Sequence, residues 1–398
     1  MKLKCDITLP ASKSESNRAL MIAAYGGFPP DFKNLSESND TLVLAEVLNG
    51  LPFMSFQRRI MRGQESIKGK PQVIDIADCG TAARFMTTFL ACLQGEWLLT
   101  GTERMRQRPM APLVEALRSL GADIQYVENE GRLPLRILGK HLQGGKIAID
   151  MSQSSQFASS LLLAAPMWPQ GLELELVGDL SSLPYLDMTI KMLCHFSAQV
   201  ERQGRTIIIK PQPYKKQPFA IEADWTAASY WYEMAALSEE CEIKLKGLSG
   251  PSTGSGTASL QGDAIIAEWM KAFGVCTTSI DNGIVLTKKS FEKKPLSFDF
   301  TNNPDLYPTM AATCAGLGIE ASFTGLDNLA LKESDRVEAI RQELAKLGNS
   351  PLRFCAHNDH RVVMALAPLA MLYGSVAFDH PEVVRKSYPT FWSDCPFW

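Results

Sequence analysis

An internal repeat runs through this sequence. Five amphipathic segments, each with apolar residues at helical spacing and a short β-like run behind them, recur at intervals of 72 to 77 residues. Because self-similarity at a nearly fixed period is the signature of one structural unit used repeatedly, the chain is predicted to be an array of similar units. The intervals are measured between equivalent Leu or Phe residues, at Leu48, Leu120, Phe196, Phe273 and Leu347.

A second set of segments alternates with the first. These are rich in Ala, Leu, Met and Ser and carry few charges after their first turn, which is typical of buried helices. Strand-like runs such as RTIIIK, GIVLT, LELELVG and LPLRIL lie between the helices, so we predict an α/β or α+β fold of six units with small sheets. The C-terminal YPTFWSDC is a candidate for a shortened sixth amphipathic segment. The six buried segments are SESNRALMIAA, GTAARFMTTFLA, SSQFASSLLLAA, TAASYWYEMAAL, YPTMAATCAGL and DHRVVMALAPLAML.

Six units divide naturally into two groups of three. The stretch KPQPYKKQPFAIEAD, with its prolines and lysines, is predicted to cross from one group to the other. A chain of 398 residues, 45% of them hydrophobic, is long enough for two domains with substantial cores. We therefore expect two domains of similar construction.

Composition and charge exclude several classes of protein. A net charge of -3 argues against a polybasic binder of nucleic acid or membranes. No apolar run approaches the ~20 residues of a membrane span, and the first ten residues lack the apolar core of a signal peptide, so a cytoplasmic location is expected. Nine scattered cysteines without a Cys-x-x-Cys pair predict free thiols. Cys355, His357 and His360 are zinc-type ligands, but no second Cys/His cluster completes a set, and no metal is expected.

Polar and charged residues cluster at the N-terminal ends of the buried segments. If the repeats stack pseudo-symmetrically, these ends converge, and their unpaired N–H groups favour bound anions. Arg suits bidentate recognition of phosphate and carboxylate, while Lys supplies a point charge. A small polyanion is the predicted ligand. The residues concerned are Lys13, Ser14, Arg18, Gly80, Thr81, Arg84, Ser154, Ser155, Gln156, Asp305, His360 and Arg361, joined by Arg104, Arg106, Arg108, Lys332, Glu333, Arg336 and Lys386.

Nine motifs, taken in order, resemble the enolpyruvyl transferase family over nearly the whole chain. Within that family they are most similar to the branch that acts on shikimate 3-phosphate. One such motif is weak evidence, but nine in the same order form a specific pattern. They are KSESNR, GTAAR, RMRQRP, SSQF, SLPYLD, SLQGD, NPDLYPT, LKESDR and NDHR.

The resemblance implies a fold of two pseudo-symmetric domains, each an inside-out α/β barrel of three βαβαββ units, joined by a double crossover with the active site in the cleft. It implies that residues 12–220 form one domain, mainly for shikimate 3-phosphate. Residues 1–11 with 221–398 form the other, mainly for phosphoenolpyruvate and the catalytic carboxylates. The tail after Lys386 is short, so the sixth unit is expected to be clipped.

The implied reaction transfers the enolpyruvyl group of phosphoenolpyruvate to the 5-hydroxyl of shikimate 3-phosphate and releases phosphate. No metal or organic cofactor is implied. The expected partners are these two small molecules, with no nucleic acid and no membrane, and the protein is expected to be a monomer.

The resemblance also assigns roles to residues. The implied catalytic residues are Lys13, Asp305, Glu333 and His360. Asp305 is the candidate for the reacting hydroxyl, Glu333 or Lys13 for proton transfer at the methylene, and His360 for orientation. Implied contacts to shikimate 3-phosphate are Lys13, Ser14, Arg18, Ser154, Ser155, Gln156, Ser182, Tyr185, Asp305, Asn328 and Lys332. Implied contacts to phosphoenolpyruvate are Lys13, Gly80, Arg104, Gln156, Arg336, Arg361 and Lys386.

The charges of ligands and protein are similar in size. Each substrate carries one phosphate, with a charge of about -1.5 to -2, and one carboxylate. The total charge of the two substrates is therefore roughly -5 to -6. We therefore expect an empty site that repels itself and an open form that closes on its ligands. The matching cations number seven: Lys13, Arg18, Arg104, Lys332, Arg336, Arg361 and Lys386.

One departure and two alternatives accompany this interpretation. Asp78 stands where the family has an asparagine near the donor phosphate, and a carboxylate there repels an anion. Either Asp78 points away, or the loop IADCGTAAR has a different register. The nearest alternative is the sister enzyme that uses UDP-N-acetylglucosamine, but its loop cysteine is missing from RMRQRPM. A catalytically inactive relative that binds phosphorylated metabolites is the other, and the presence of Lys13, Asp305 and Glu333 together argues against it.

Overall fold

The computed structural model describes residues 1–51, 71–250, 259–349 and 351–396. Contacts between residues divide the chain into two compact units. The terminal unit comprises Met1–Lys13, Asn34–Asn39 and Ile221–Trp398, and the central unit comprises Ser14–Lys33 and Asp40–Ala220. The domain limits implied by the family resemblance, 12–220 and 1–11 with 221–398, remain a prediction.

The described residues contain sixteen strands, most of them short. In chain order they are β1 Lys2–Thr8, β2 Gln72–Asp75, β3 Gly95–Thr100, β4 Asp123–Tyr126, β5 Leu135–Gly139, β6 Gly145–Asp150, β7 Leu172–Val177, β8 Val200–Gln203, β9 Thr206–Ile209, β10 Glu240–Lys246, β11 Val275–Ile280, β12 Gly283–Lys288, β13 Leu296–Asp299, β14 Ala321–Thr324, β15 Leu352–Phe354 and β16 Val376–Phe378.

Three four-stranded sheets share one topology. The central unit contains β2-β3-β5-β4 and β6-β7-β9-β8, and the terminal unit contains β1-β10-β12-β11. In each, the first two strands are parallel and the last two form an antiparallel hairpin joined to the second strand. Two parallel pairs, β13-β14 and β15-β16, complete the terminal unit among the described residues. The predicted repetition of one α/β unit is confirmed, with three four-stranded sheets.

The helices alternate with the strands as the sequence pattern predicts. In chain order they are α1 Lys13–Gly26, α2 Asn39–Gly50, α3 Gly80–Cys92, α4 Glu103–Gln107, α5 Ala111–Ser119, α6 Ser155–Ala164, α7 Leu183–His195, α8 Trp225–Leu237, α9 Ile266–Trp269, α10 Tyr307–Leu317, α11 Arg336–Leu344, α12 His360–Leu366, α13 Ala370–Tyr373 and α14 Phe391–Asp394. Short 3-10 turns cover Ala165–Met167, Gly262–Ile265, Met270–Phe273, Pro304–Leu306, Asp327–Leu331, Ala367–Leu369 and Pro381–Lys386.

All six segments predicted to be buried helices are helical and buried. The segment DHRVVMALAPLAML differs from the prediction in one respect, because it is divided into α12, a 3-10 turn and α13. Pro368 lies in that turn, and proline cannot donate the hydrogen bond that a continuous helix needs there. The candidate sixth segment YPTFWSDC contains the four-residue α14.

Hydroxyl pairs link buried helices in both units. In the central unit, Thr88 of α3 and Ser160 of α6 lie 2.6 Å apart. In the terminal unit, Ser229 of α8 and Thr309 of α10 lie 3.1 Å apart. Each buried hydroxyl pair contributes about 1 kcal/mol and fixes the helix register, which in turn fixes where the helix N-termini lie.

The predicted crossing segment, residues 210–224, lies outside the helices and named strands and is bonded to other segments at several points. The N–H of Ser12 donates to the carbonyl of Glu222 at 2.8 Å, and that of Asp224 donates to the carbonyl of Pro10 at 2.8 Å. These bonds hold the residues just before Lys13 against the start of α8. β1 also belongs to the terminal unit, where it pairs in parallel with β10.

All nine cysteines lie in the described ranges and are free thiols. Within the part of the chain that the structure covers, no group of three or more His, Cys, Asp and Glu side chains has the arrangement of a metal site. None of the described helices is long and apolar enough to cross a membrane.

Candidate active site

Arg336, the first residue of α11, is the centre of a cluster of charged groups in the terminal unit. Its side chain is 1% exposed and donates to three carboxylates. The Nη1 atom lies 2.7 Å from Asp305, Nη2 lies 2.7 Å from Glu333, and Nε lies 2.7 Å from Asp359. Burial lowers the pKa of the guanidinium, but Asp359, Glu333 and Asp305 raise it above its usual range. Arg336 therefore stays charged and orders three acidic groups around itself.

Asp305 lies in the 3-10 turn that precedes α10 and faces cations with both of its oxygens. Oδ1 accepts from Arg336 and is 4.0 Å from Nζ of Lys332, and Oδ2 accepts from Nη2 of Arg361 at 2.8 Å. Burial on its own raises the pKa of Asp305, but Arg361, Lys332 and Arg336 together hold it well below its usual range. The carboxyl is ionised at neutral pH.

Asp359, which we did not single out in the sequence, joins the ends of two helices. It is fully buried and caps α12, where its Oδ1 accepts from the N–H of Arg361 at 3.0 Å. Its Oδ2 accepts from Arg336 at 2.7 Å and from Ser334 at 3.1 Å. The signal was present as an Asp directly before an apolar helical run, which is the pattern of an N-cap.

His360 is 1% exposed at the start of α12. Neither ring nitrogen has a hydrogen-bond partner among the described residues, and Nδ1 lies 3.6 Å from Asp359. Burial, then Lys13 and Arg361, hold the pKa of this imidazole well below its ordinary value of 6.5. His360 is thus neutral at pH 7, in keeping with the predicted role in orientation rather than titration.

The remaining predicted residues of the terminal unit lie on four different segments. Lys13 begins α1, Asn328 and the preceding Asp327 lie in a 3-10 turn, and Lys332 follows that turn with a side chain 25% exposed. Lys386 ends another 3-10 turn and is buried. The expected self-repulsion rested on a count of cations alone. The structure shows Asp305, Glu333 and Asp359 among them, so the repulsion within this unit is partly cancelled.

In the central unit the N-termini of α3 and α6 meet. Nε2 of Gln156 donates to Oγ1 of Thr81 at 3.2 Å, which ties the first turn of α6 to that of α3. Ser154 caps α6 by accepting from the N–H of Gln156 at 3.2 Å, and Ser155 is buried in its first turn. Two helix N-termini joined by this bond provide N–H groups and positive partial charge for an anion.

Gly80 begins α3 beside two guanidinium groups. A Cβ added at Gly80 would lie 2.4 Å from Nη1 of Arg108 and 2.8 Å from Nη1 of Arg84, so no other residue fits without moving them. Arg84 is 2% exposed and donates to the carbonyls of Gly80 and Pro109, each at 3.0 Å. Asp78, the unusual residue of this loop, lies one position before Cys79, whose sulfur caps α3.

The motif RMRQRP contributes a buried arginine that is different from the one to which the resemblance pointed. Arg104 is exposed in α4, with Nη1 3.5 Å from Oε1 of Gln107. Arg108 is buried and contacts the Gly80 position. The two are four residues apart in one motif, and only the tertiary structure distinguishes them. The proline after Arg108, which terminates α4, was the one available signal.

Arg18 connects three helices of the central unit. Its Nε donates to Thr189 at 2.7 Å, Nη1 to the carbonyl of Ser14 at 2.9 Å, and Nη2 to Tyr185 carbonyl at 3.2 Å and Ser159 at 3.4 Å. Burial lowers its pKa to about 10, so it remains charged. These contacts use four of the five N–H groups of a guanidinium, and the fifth is on Nη1.

Ser182 and Tyr185 lie at the start of α7. Ser182 has φ 55 and ψ 33, the left-handed conformation, immediately before the helix begins with Leu183. The N–H of Tyr185 donates to the carbonyl of Ser182 at 3.2 Å. The structure therefore positions both residues at a third helix N-terminus of the same unit, and Arg18 holds the backbone of Tyr185.

Each unit thus presents a chemically distinct set. The central unit offers helix N-termini, hydroxyls and arginines, which suit phosphate and carboxylate binding. The terminal unit adds carboxylates held among cations, and the ionised Asp305 among them can accept a proton or stabilise developing positive charge. Binding and acid–base groups are both present.

Comparison with known proteins agrees with these features. A family model described as EPSP synthase (3-phosphoshikimate 1-carboxyvinyltransferase) matches residues 1–395. A Bacteroides fragilis protein named 3-phosphoshikimate 1-carboxyvinyltransferase is 41% identical over 99% of this chain and 95% of its own length. A protein of the same name from Histophilus somni is 34% identical over 98% and 95%. The structure of EPSP synthase from Acinetobacter baumannii shares the fold, with a TM-score of 0.70 at 21% identity over 98% of this chain and 95% of that one.

Proposed function

The chain belongs to the EPSP synthase (3-phosphoshikimate 1-carboxyvinyltransferase) family, and we propose that the cluster around Asp305 carries out its chemistry. As a member of this family it is a transferase of the shikimate pathway, which moves the enolpyruvyl group of phosphoenolpyruvate to shikimate 3-phosphate. The proposal concerns which residues bind and which react. The observation that supports it is the carboxylate of Asp305 held between Arg336 and Arg361.

Asp305 is the group that receives the hydrogen bond of the attacking 5-hydroxyl. Its low pKa makes it a weak base while Arg361, Lys332 and Arg336 balance its charge. Two substrates carrying roughly -5 to -6 charges compete for these cations and raise the basicity of Asp305 when they bind. The base is therefore strongest when both substrates are present, which protects phosphoenolpyruvate from reaction alone.

Proton transfer at the methylene is assigned to Glu333 or Lys13. Glu333 is 14% exposed and shares Arg336 with Asp305, so the two carboxylates are held within one hydrogen-bonded group. Lys13 acts on the His360 ring electrostatically and so lies near it. His360, which is neutral and buried, is assigned an orienting role and does not exchange a proton.

The acceptor substrate is assigned to a hydroxyl-rich group of residues. In the central unit these are Ser14, Arg18, Ser154, Ser155, Gln156, Ser182 and Tyr185, and in the terminal unit Lys13, Asp305, Asn328 and Lys332. Support comes from the caps of α6 and α7 and from the fifth N–H of Arg18, which is available to a carboxylate.

The donor substrate is assigned to arginines and lysines. In the terminal unit these are Lys13, Arg336, Arg361 and Lys386, and in the central unit Gly80, Gln156 and either Arg104 or Arg108. Burial beside Gly80 favours Arg108. A monomer in the cytoplasm remains the proposed state, and the free thiols are consistent with a reducing compartment.

The test is release of phosphate from phosphoenolpyruvate by the purified protein. Release is expected with shikimate 3-phosphate and not with UDP-N-acetylglucosamine or with phosphoenolpyruvate alone. Release that depends on UDP-N-acetylglucosamine contradicts the acceptor assignment. Saturable binding of both substrates without any release indicates an inactive relative and contradicts the catalytic assignment.

A further inference from the structure

The motif SLQGD has no role in the site described above, although two of its side chains are bonded to one segment. Ser259 donates to Oε2 of Glu222 at 2.6 Å. Gln261 accepts from the N–H of Trp225 at 2.8 Å and donates to the carbonyl of Ala223 at 2.8 Å. The motif is thereby fastened to residues 222–225, immediately before and at the start of α8.

Asp263, the last residue of the motif, is bonded both to α8 and to the segment before Asp305. It is 3% exposed and lies in the 3-10 turn Gly262–Ile265. Its Oδ2 accepts from the hydroxyl of Thr226 at 2.5 Å, and its Oδ1 accepts from Nδ2 of Asn303 at 3.1 Å. A buried carboxylate is tolerated only with such partners, because burying a charge without them costs several kcal/mol.

Asn303 transmits this contact to the turn that carries Asp305. Its N–H donates to the carbonyl of Phe300 at 3.1 Å, and its carbonyl accepts from the N–H of Leu306 at 3.1 Å. It is also the N-cap of the 3-10 turn Pro304–Leu306. With its side chain held by Asp263, Asn303 has three fixed bonds, and Asp305 follows two residues later.

The two carboxylates also interact through space. Burial first, and then the charge of Asp305, raise the pKa of Asp263, while Thr226, Asn303 and Arg361 lower it. Asp263 therefore belongs to the same electrostatic group as Asp305 and Arg361.

We propose that Asp263 is a positioning residue for the transfer reaction, which holds Asn303 and thereby aims Asp305 at the reacting hydroxyl. The proposal rests on the assigned role of Asp305. Asp263 acts through Asn303 and does not touch either substrate. The rest of the SLQGD motif supplies the anchor, through Glu222 and the start of α8.

Asp263→Asn is the primary test, because an amide keeps the volume of the side chain but accepts only one of the two hydrogen bonds. A displacement of about 1 Å in a reacting group costs on the order of 10²-fold in rate, so a fall of that order in kcat is expected. The KM for each substrate should stay near the wild-type value. The control is Asp299→Asn. It makes the same substitution at an exposed carboxylate that accepts from the N–H of Thr301, and it should leave kcat unchanged.

Asn303→Ala provides the second variant, and the double variant with Asp263→Asn completes a cycle. If the double variant loses less kcat than the two single losses combined, the two residues act through one shared link. Losses that add, or a wild-type kcat in either folded single variant, overturn the proposal. A rise in KM with kcat unchanged also overturns it, because it indicates a substrate contact.

Asp305→Ala is measured in parallel to separate this inference from the assignment of Asp305 itself. If Asp305→Ala is inactive and Asp263→Asn is fully active, the positioning role is wrong and the role of Asp305 stands. If Asp305→Ala is fully active, the assigned role of Asp305 is wrong, and the positioning role falls with it. Thermal unfolding of each variant checks that it is folded, and Asn303→Ala decides the question if Asp263→Asn does not fold.

Discussion

Nη1 of Arg336 lies 2.7 Å from Oδ1 of Asp305, and the side chain of Arg336 is 1% exposed. The same guanidinium donates to Glu333 and Asp359. One arginine thus donates hydrogen bonds to, and orients, the carboxylates of three different segments. The position of the proposed base depends on a cation that solvent barely reaches.

Arg336→Lys should destabilise the protein and weaken donor binding. A lysine keeps the charge but cannot donate in three fixed directions, so the free energy of unfolding should fall by about 2–4 kcal/mol. Urea denaturation measures this. Arg341→Lys is the matched control on the same helix, where the side chain is 67% exposed and paired with Glu338, and no measurable change is expected. Equal effects of the two substitutions contradict the central role of Arg336.

The two arginines of RMRQRP should differ in their effect on the donor. Arg108→Lys removes the planar group that packs beside Gly80, so the KM for phosphoenolpyruvate should rise at least about tenfold, which corresponds to about 1.4 kcal/mol. Arg104→Lys changes an exposed side chain and should leave this KM near the wild-type value. Steady-state kinetics with saturating shikimate 3-phosphate distinguish them, and the reverse order restores the assignment of Arg104.

Gly80→Ala should act through the same guanidinium. The new Cβ would lie 2.4 Å from Arg108, and the atoms that must move are at the ends of flexible side chains. The protein should therefore fold normally while the KM for phosphoenolpyruvate rises by about tenfold or more. Gly50→Ala is the control, because no atom of the described residues lies within 4 Å of a Cβ there. A donor KM that does not change in Gly80→Ala shows that the Arg108 contact is not used in binding.

Glu233 should make the protein less stable as the pH rises. It is fully buried in α8, its two oxygens have no hydrogen-bond partner among the described residues, and burial holds its pKa well above the ordinary value of 4.5. The folded state therefore keeps a proton that the unfolded state releases above pH 4.5, which costs about 1.4 kcal/mol per pH unit until the folded pKa is reached.

Glu233→Gln removes this proton linkage. The variant should lose less stability than the wild-type protein between pH 5 and pH 8, as measured by urea denaturation at several pH values. Parallel curves for the two proteins would show that Glu233 is ionised in the folded state.

Much of the fold follows from local signals. The buried helices were predictable because a long apolar run with small residues and a polar first turn has few other structures open to it. The sheets were harder, since strands of three or four residues, such as β15, carry little periodicity. Pro368 was visible in the sequence, but the continuous apolar pattern around it favoured one helix over the two that form.

The candidate site was predictable as chemistry but not as geometry. Charged residues at helix N-termini indicated a polyanion. Whether Arg104 or Arg108 is buried depends on how α4 packs, and this is not encoded in the spacing of the motif. Asp263 and Asp359 looked like ordinary acidic residues of turns. The sequence does not show whether a carboxylate is bonded to Asn303 or Arg336 or exposed to water.

Asp305→Ala tests the account most directly, by measuring shikimate 3-phosphate binding and phosphate release on the same preparation. Binding should stay close to that of the wild-type protein, since the hydroxyls and cations assigned to this substrate remain. Phosphate release should fall by on the order of 10²- to 10⁴-fold, the usual contribution of a positioned acid–base group. Wild-type rates of release from Asp305→Ala would contradict the account.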